Sequence, residues 1–298
     1  MVGCPVSSPT MLATRTGSFP IGFRRGWSDW QKDISSVISF AKENGFGGID
    51  IGNEVADAEA ILSAGLTVGS VDAFSSDLMS PDEEKRAAAV AALETKITAF
   101  GGHGIRNYFT VMLPADAARP RKDNFDSMVL GLKALAPILE ANNGRLVMEG
   151  WPGAGALCCT PETYRATFEA VGSMAIGINY DPSHLIRMGI DPIRFLHEFK
   201  DRVYHVHGKD TEVMAEAQYE YGYEQQSTFG AEHGFGGASW RYTIPGHGET
   251  RWVEVFRILE KSGYDGMVSI ELEDENFNGS EEGEKAGLLA SGAYLASC

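Results

Sequence analysis

Eight short apolar runs, rich in β-branched residues, recur along the chain, and an amphipathic stretch separates each from the next. The runs are SFPIGF (18–23), GGIDIG (47–52), TVGSVDAF (67–74), RNYFTVML (106–113), RLVMEG (145–150), AIGINYD (175–181), VYHVHGK (203–209) and MVSIELE (267–273). Strict alternation of strand-like and helix-like segments predicts parallel strands joined by crossover helices. The helix-like segments carry their own punctuation. Residues 28–45 open on a Ser or Asp cap and close on Gly45, and residues 80–102 place Pro81 and a run of acids in the first turn. Eight strands with their helices in one chain of this length match a (β/α)8 barrel. A doubly wound open sheet is the competing architecture, but no glycine-rich dinucleotide fingerprint follows the first run.

These segments place an N-terminal arm at 1–17 and one barrel domain at 18–298. Residues 210–266, between the seventh and eighth runs, are too many for a simple connection, and they imply an insertion at about 212–250. In a barrel, such an insertion belongs to the face where the loops after the strands gather.

Composition excludes several roles. A formal net charge of -16 opposes binding to a phosphate backbone, so no nucleic-acid partner is expected. No run approaches the roughly 18 apolar residues of a membrane span, and no membrane association is expected. The N-terminus lacks the basic and apolar regions of a signal peptide, and the four cysteines show no metal-ligand spacing; both point to the cytoplasm.

Catalytic groups of a barrel sit at the C-terminal ends of its strands. Here those ends carry Glu149, Asp181 with His184 just beyond, His207, and Glu271. Side chains alternate along a strand, so His205 and His207 face the same way, as do Val147 with Glu149, Asn179 with Asp181 and Ser269 with Glu271. His207 lies nearer the mouth and takes a ligand role, whereas His205, one layer lower, supports it. Carboxylates embedded in apolar runs need a cation or hydrogen bonds to offset their burial. Glu149, Asp181, His207 and Glu271, all of metal-competent type, are therefore expected to converge on one point.

The blocks VMEGWPG, NYDPSHLIRMGID, YHVHGKDT, WRYTIPGHGETRW and YDGMVSIELED resemble, in order, those of the sugar isomerase and epimerase family of xylose isomerase-like barrels. The resemblance implies one metal held by Glu149, Asp181, His207 and Glu271, with His184 binding substrate. It also implies that Glu149 and Glu271 double as the acid/base pair, and that the protein is a homodimer or homotetramer. Three carboxylates and one imidazole favour a hard divalent cation, Mn²⁺ first, with Mg²⁺, Co²⁺ or Zn²⁺ as alternatives.

The implied activity is a metal-dependent isomerase or epimerase of sugars, working by proton abstraction beside a carbonyl and an enediolate. A lyase or deglycosidase acting on 3-keto-glycosides is the alternative, since the same enediolate can expel a β-leaving group; a non-catalytic sugar-binding subunit is a third. Trp240, Arg241 and Trp151 are candidate sugar contacts. Lys209 and Asp210 either touch the substrate or its surroundings, or form a surface ion pair. Glu273 shares the parity of Glu271 and is its rival as ligand, and PGHG (245–248) offers backbone N–H groups to a phosphate.

Overall fold

The structure, a computed structural model, describes residues 10–224 and 226–298. The first nine positions of the expected arm lie outside the described residues. Residues 12–21 are tied down, because Leu12 N–H donates to Gly45 O, Ile21 N–H donates to Leu12 O, and Ala13 bridges Pro20.

Eight parallel strands close into a barrel. In chain order these are β1 (Ile21–Arg24), β2 (Gly48–Ile51), β3 (Thr67–Asp72), β4 (Asn107–Val111), β5 (Arg145–Glu149), β6 (Ile176–Tyr180) and β7 (Val203–Gly208). An antiparallel hairpin of β8 (Asp210–Val213) and β9 (Trp240–Thr243) comes next, and β10 (Val268–Ile270) completes the barrel between β7 and β1. Each of the eight expected runs supplies one barrel strand. The strands are shorter than the runs, most of which give up their last residues to the loops at the mouth, whereas β1 begins three residues late and runs on to Arg24.

The expected helix over 28–45 is two helices, Asp29–Lys32 and Ile34–Glu43. Asp33 separates them, its extended backbone interrupting the first while its carboxylate caps the second through Ser35 and Ser36. A final helix, Glu281–Ser297, has no counterpart among the helix-like segments of the sequence pattern. Its Glu284 accepts from Trp30 Nε1 (2.7 Å) and Gln31 Nε2 (3.0 Å), which fastens the last crossover to the first.

The barrel floor is closed by a side chain packed on glycines. A Cβ at Gly22 would lie 2.3 Å from Met267 Sδ, and one at Gly69 would lie 2.4 Å from Met267 Cε. Larger residues there would displace the plug. Outside the strands, Val37, Leu93, Leu132, Leu139, Phe256 and Leu259 turn buried helix faces onto the barrel.

The insertion leaves β7 as the β8–β9 hairpin, with a helix at Ala215–Tyr221 in its loop. Asp210 anchors it. Its Oδ1 accepts from the N–H groups of Thr211 (2.9 Å) and Thr250 (2.9 Å) and from Thr250 Oγ1 (2.7 Å). Its Oδ2 accepts from Gly246 N–H (3.3 Å) and Trp252 Nε1 (3.3 Å). The PGHG turn thus directs the Gly246 N–H to a carboxylate of its own chain. Asp210→Ala would strand these buried donors, and we expect a loss of roughly 2–4 kcal/mol of stability, measurable by urea denaturation.

Candidate metal centre and active site

Side-chain parity builds the centre. On β7 and just beyond it, His205, His207 and Lys209 share one parity, and on the β10 side Ser269, Glu271 and Glu273 do the same. Asp181 follows β6 directly and caps the helix Pro182–Arg187, its Oδ1 accepting from Ser183 N–H (2.9 Å) and Ser183 Oγ (2.6 Å). Pro182 at the first helical position fixes that turn, and His184 faces back toward the strands.

Glu149, Asp181, His207 and Glu271 each offer a ligand atom, and the four atoms lie within 4.8 Å of one another. On these side chains Asp181 Oδ2, His207 Nδ1 and His207 Nε2 are buried without a hydrogen-bond partner. His207 Nδ1 is 2.7 Å from Glu149 Oε2, yet the pair is not aligned as a hydrogen bond. Two electron-pair donors aimed at one point fit a cation between them, and a set of three carboxylates and an imidazole suits a hard divalent ion.

Charge is heavily loaded here. Burial works against charge on Glu149, and Glu271 adds to that, yet the His207 and His184 imidazoles outweigh both and hold its carboxyl well below the usual range. Burial likewise opposes the charge on Glu271, where Lys209, His207 and Arg24 prevail and lower it. Burial disfavours an imidazolium at His207, but Glu271 and Glu149 push its proton affinity well above the ordinary histidine value.

Lys209 is fully buried. Its Nζ is 2.5 Å from Glu271 Oε2, 2.9 Å from Glu273 Oε2 and 3.2 Å from Asp181 Oδ2. These carboxylates keep it an ammonium against the cost of burial. Both Lys209 and Asp210 are buried, so neither forms a surface ion pair.

His184 Nε2 lies 3.2 Å from Glu149 Oε1 and 3.3 Å from Asp181 Oδ2. Its Nδ1 is 2.7 Å from the hydroxyl of Tyr242, which also accepts from Arg187 Nη1 (2.7 Å). Arginine only donates, so the Tyr242 proton is free to point at His184 Nδ1, leaving Nε2–H for the carboxylates.

The structure brings together Glu149, Asp181, His184, His207, Lys209 and Glu271. Glu273 reaches the group through Lys209. Arg241 lies elsewhere, in an acidic network with Glu212 (2.7 Å), Glu275 (3.5 Å) and Asp274 (3.7 Å). Trp240 approaches only through Arg187, whose guanidinium carbon sits 4.1 Å over its ring, and through the edge of Tyr242. Trp151 stands on the loop beyond β5, 38% exposed.

Sequence reasoning passed over Asp50, Arg24 and Tyr242. Asp50, an acid inside the apolar run of β2, accepts from His205 Nε2 at 2.8 Å and lies 3.6 Å from His207 Nε2. At 3.6 Å the Asp50 carboxylate forms no hydrogen bond to His207, but its charge favours the tautomer with the proton on Nε2, which leaves Nδ1 for a cation. Asn179, on β6, donates to Glu149 Oε2 (2.6 Å) and fixes that carboxylate from below.

A profile of the xylose isomerase-like TIM barrel family matches residues 38–296, and the chain belongs to that family. It is 35% identical over 135 residues to the uncharacterized protein YfiH of Bacillus subtilis (strain 168), a match covering 44% of this chain and 41% of that relative. It is 24% identical over 261 residues to the inosose dehydratase of Clostridium tetani (strain Massachusetts / E88), covering 82% of this chain and 84% of the relative. Among solved structures, the apo 3-keto-D-glucoside 4-epimerase YcjR of E. coli superposes with a TM-score of 0.68 at 17% identity, over 94% of this chain and all of that one. Among the described residues, no helix is long and apolar enough to cross a membrane.

Two outcomes are expected from the cluster. Because Glu271 and Glu149 hold a proton on His207 in the ion-free site, a divalent ion must displace it. Affinity should therefore rise with pH below the raised His207 value, by up to about tenfold per unit, with proton release detectable by calorimetry in buffers of different ionisation enthalpy. Asp50→Asn should weaken Co²⁺ binding about 10–100-fold without unfolding the barrel, read from the visible spectrum of the Co²⁺ form and from circular dichroism.

Proposed function

We propose that this protein is a metal-dependent lyase that eliminates a β-oxygen substituent from a keto-sugar or keto-cyclitol. The observation that carries the reading is the inequality of the two glutamates. Glu149 is enclosed and held by Asn179, His184 and His207, whereas Glu271 is 16% exposed and lines a cavity of about 350 Å³ at the barrel mouth. The likeness to inosose dehydratases over most of the chain supports the same reading.

Glu149, Asp181, His207 and Glu271 would hold a divalent cation, which would supply Lewis-acid stabilisation of a carbonyl and of the negative charge that grows there when the adjacent C–H bond breaks. Glu271 turns Oε2 toward His207 and Lys209, while its Oε1 faces Arg24 Nε at 3.4 Å. Oε1, whose contact to Arg24 is long, is the oxygen that takes the C–H proton. The electron pair forms the new double bond, the C–O bond to the β-substituent breaks, and Glu271 returns its proton to the departing oxygen. His184 Nε2–H donates to a substrate oxygen, and Lys209 keeps Glu271 ionised between turnovers.

Epimerisation is the second reading, favoured by the presence of Glu149 and Glu271 in one ligand group. It needs Glu149 to deliver a proton to the opposite face. Incubation of Mn²⁺-loaded protein in ²H₂O with a keto-cyclitol and a 3-keto-glycoside separates the two. Release of water or alcohol with an absorbing enone is the expected result, and deuterium at an inverted carbon without loss of oxygen would overturn it. Glu271→Gln should lower turnover roughly 10³-fold in a folded protein that still binds metal.

A further inference from the structure

The cavity beside Glu271 is larger than elimination of a hydroxyl requires. A departing water needs roughly 10–15 Å³ of such space, whereas this cavity offers about 350 Å³. Its walls come from separate parts of the chain: Arg24 at the end of β1 and Trp27 beyond it, Phe235 from the insertion, Glu271 and Glu273 after β10, and Asn278 before the last helix.

Three features single it out. Trp27 is 83% exposed, an unusual position for the largest aromatic side chain at the mouth of a barrel. Phe235 faces the same space, and its segment is fixed rather than adrift. His233 Nδ1 meets Glu275 Oε1 at 2.7 Å, Gly234 N–H donates to Glu275 Oε2 at 2.9 Å, and Tyr242 N–H donates to Phe235 O at 2.8 Å. The insertion is thereby clamped over the end of β10.

Arg24 is the third feature. Its Nη2 donates to Asp72 Oδ1 (2.8 Å), its Nε faces Glu271, and its guanidinium carbon sits 4.6 Å over the Phe109 ring. Its Nη1 has no partner although it is shielded from solvent. A charged donor left unpaired is costly, and a small turn of the guanidinium toward the cavity would bring it to a substrate oxygen.

We propose that this cavity is a subsite for a ring-sized leaving group, so that the substrate is a keto-glycoside carrying a second six-membered ring rather than a free keto-cyclitol. The inference rests on the elimination reading of the same site. If Glu271 both removes the proton and returns it to the departing oxygen, the leaving group must lie on the Glu271 side, which is where this space opens. Trp27 and Phe235 offer flat faces to the C–H groups of a ring, and Arg24, Asn278 and Glu273 meet its oxygens. In a 3-keto-hexopyranoside the chemistry balances: the proton leaves C2, the C1–O bond breaks, the double bond forms between C1 and C2, and the ring alcohol departs with the proton.

The test compares methyl and cyclohexyl 3-keto-glucosides, whose leaving alcohols are similar in basicity but not in size. Binding is measured by calorimetry and alcohol release by chromatography, on the Mn²⁺-loaded wild type and on Trp27→Ala and Phe235→Ala. The cyclohexyl compound should bind and react at least about tenfold better than the methyl compound, and both variants should shrink that ratio toward one. Equal binding of the two by the wild type, or a ratio untouched in both variants, would overturn the subsite even if alcohol is released. A cyclohexyl preference in binding with no alcohol from either compound would uphold the ring subsite and overturn the elimination reading instead.

Discussion

The interaction on which the site depends is the repulsion among carboxylates forced together in a dry barrel mouth. Glu149, Asp181 and Glu271 converge from β5, β6 and β10, and Lys209, His207, His184 and Arg24 stand among them. Buried like charges at these distances are tolerable only when opposite charge is interleaved. Lys209 answers part of the demand, and a divalent ion would answer the rest. The barrel supplies the rigidity, since each carboxylate is fixed by the register of its strand and by a neighbour: Asn179 for Glu149, Ser183 for Asp181, Lys209 for Glu271.

A second layer supports the first. Asp50 and His205 lie beneath His207, and Tyr242 with Arg187 stands behind His184. The β8–β9 hairpin delivers Tyr242, so the insertion both completes the surroundings of His184 and, through Phe235, shapes the space next to Glu271. Asp210 holds that hairpin to the start of the Trp252–Ser262 helix. Metal site, pocket and insertion are thereby one mechanical unit.

Much of this was legible in the sequence because strand parity is a strong rule. The eight apolar runs located the strands, and the positions of Glu149, Asp181, His207 and Glu271 within them set their shared direction. The same parity puts Lys209 in line with His207, although no local signal says that a lysine two residues past a strand histidine is buried. Asp50 was not legible, because it lies far from His207 in sequence and an acid inside GIDI does not reveal its partner. Arg241 shows the opposite failure: in an antiparallel hairpin, alternate residues face opposite ways, so Tyr242 points at His184 and Arg241 at Glu212. Where the hairpin begins decides which one enters, and that depends on the Asp210–Thr243 register, which composition does not encode.

The most direct test is the metal content of the full chain after equilibration with Mn²⁺, Co²⁺, Mg²⁺ or Zn²⁺ and dialysis, measured by elemental mass spectrometry on the wild type and on His207→Ala. One ion per wild-type chain, with a large loss in a folded variant, is the result expected if the four side chains form a closed divalent site. A wild-type chain that retains none of these ions, or a variant that retains as much as the wild type, would contradict it.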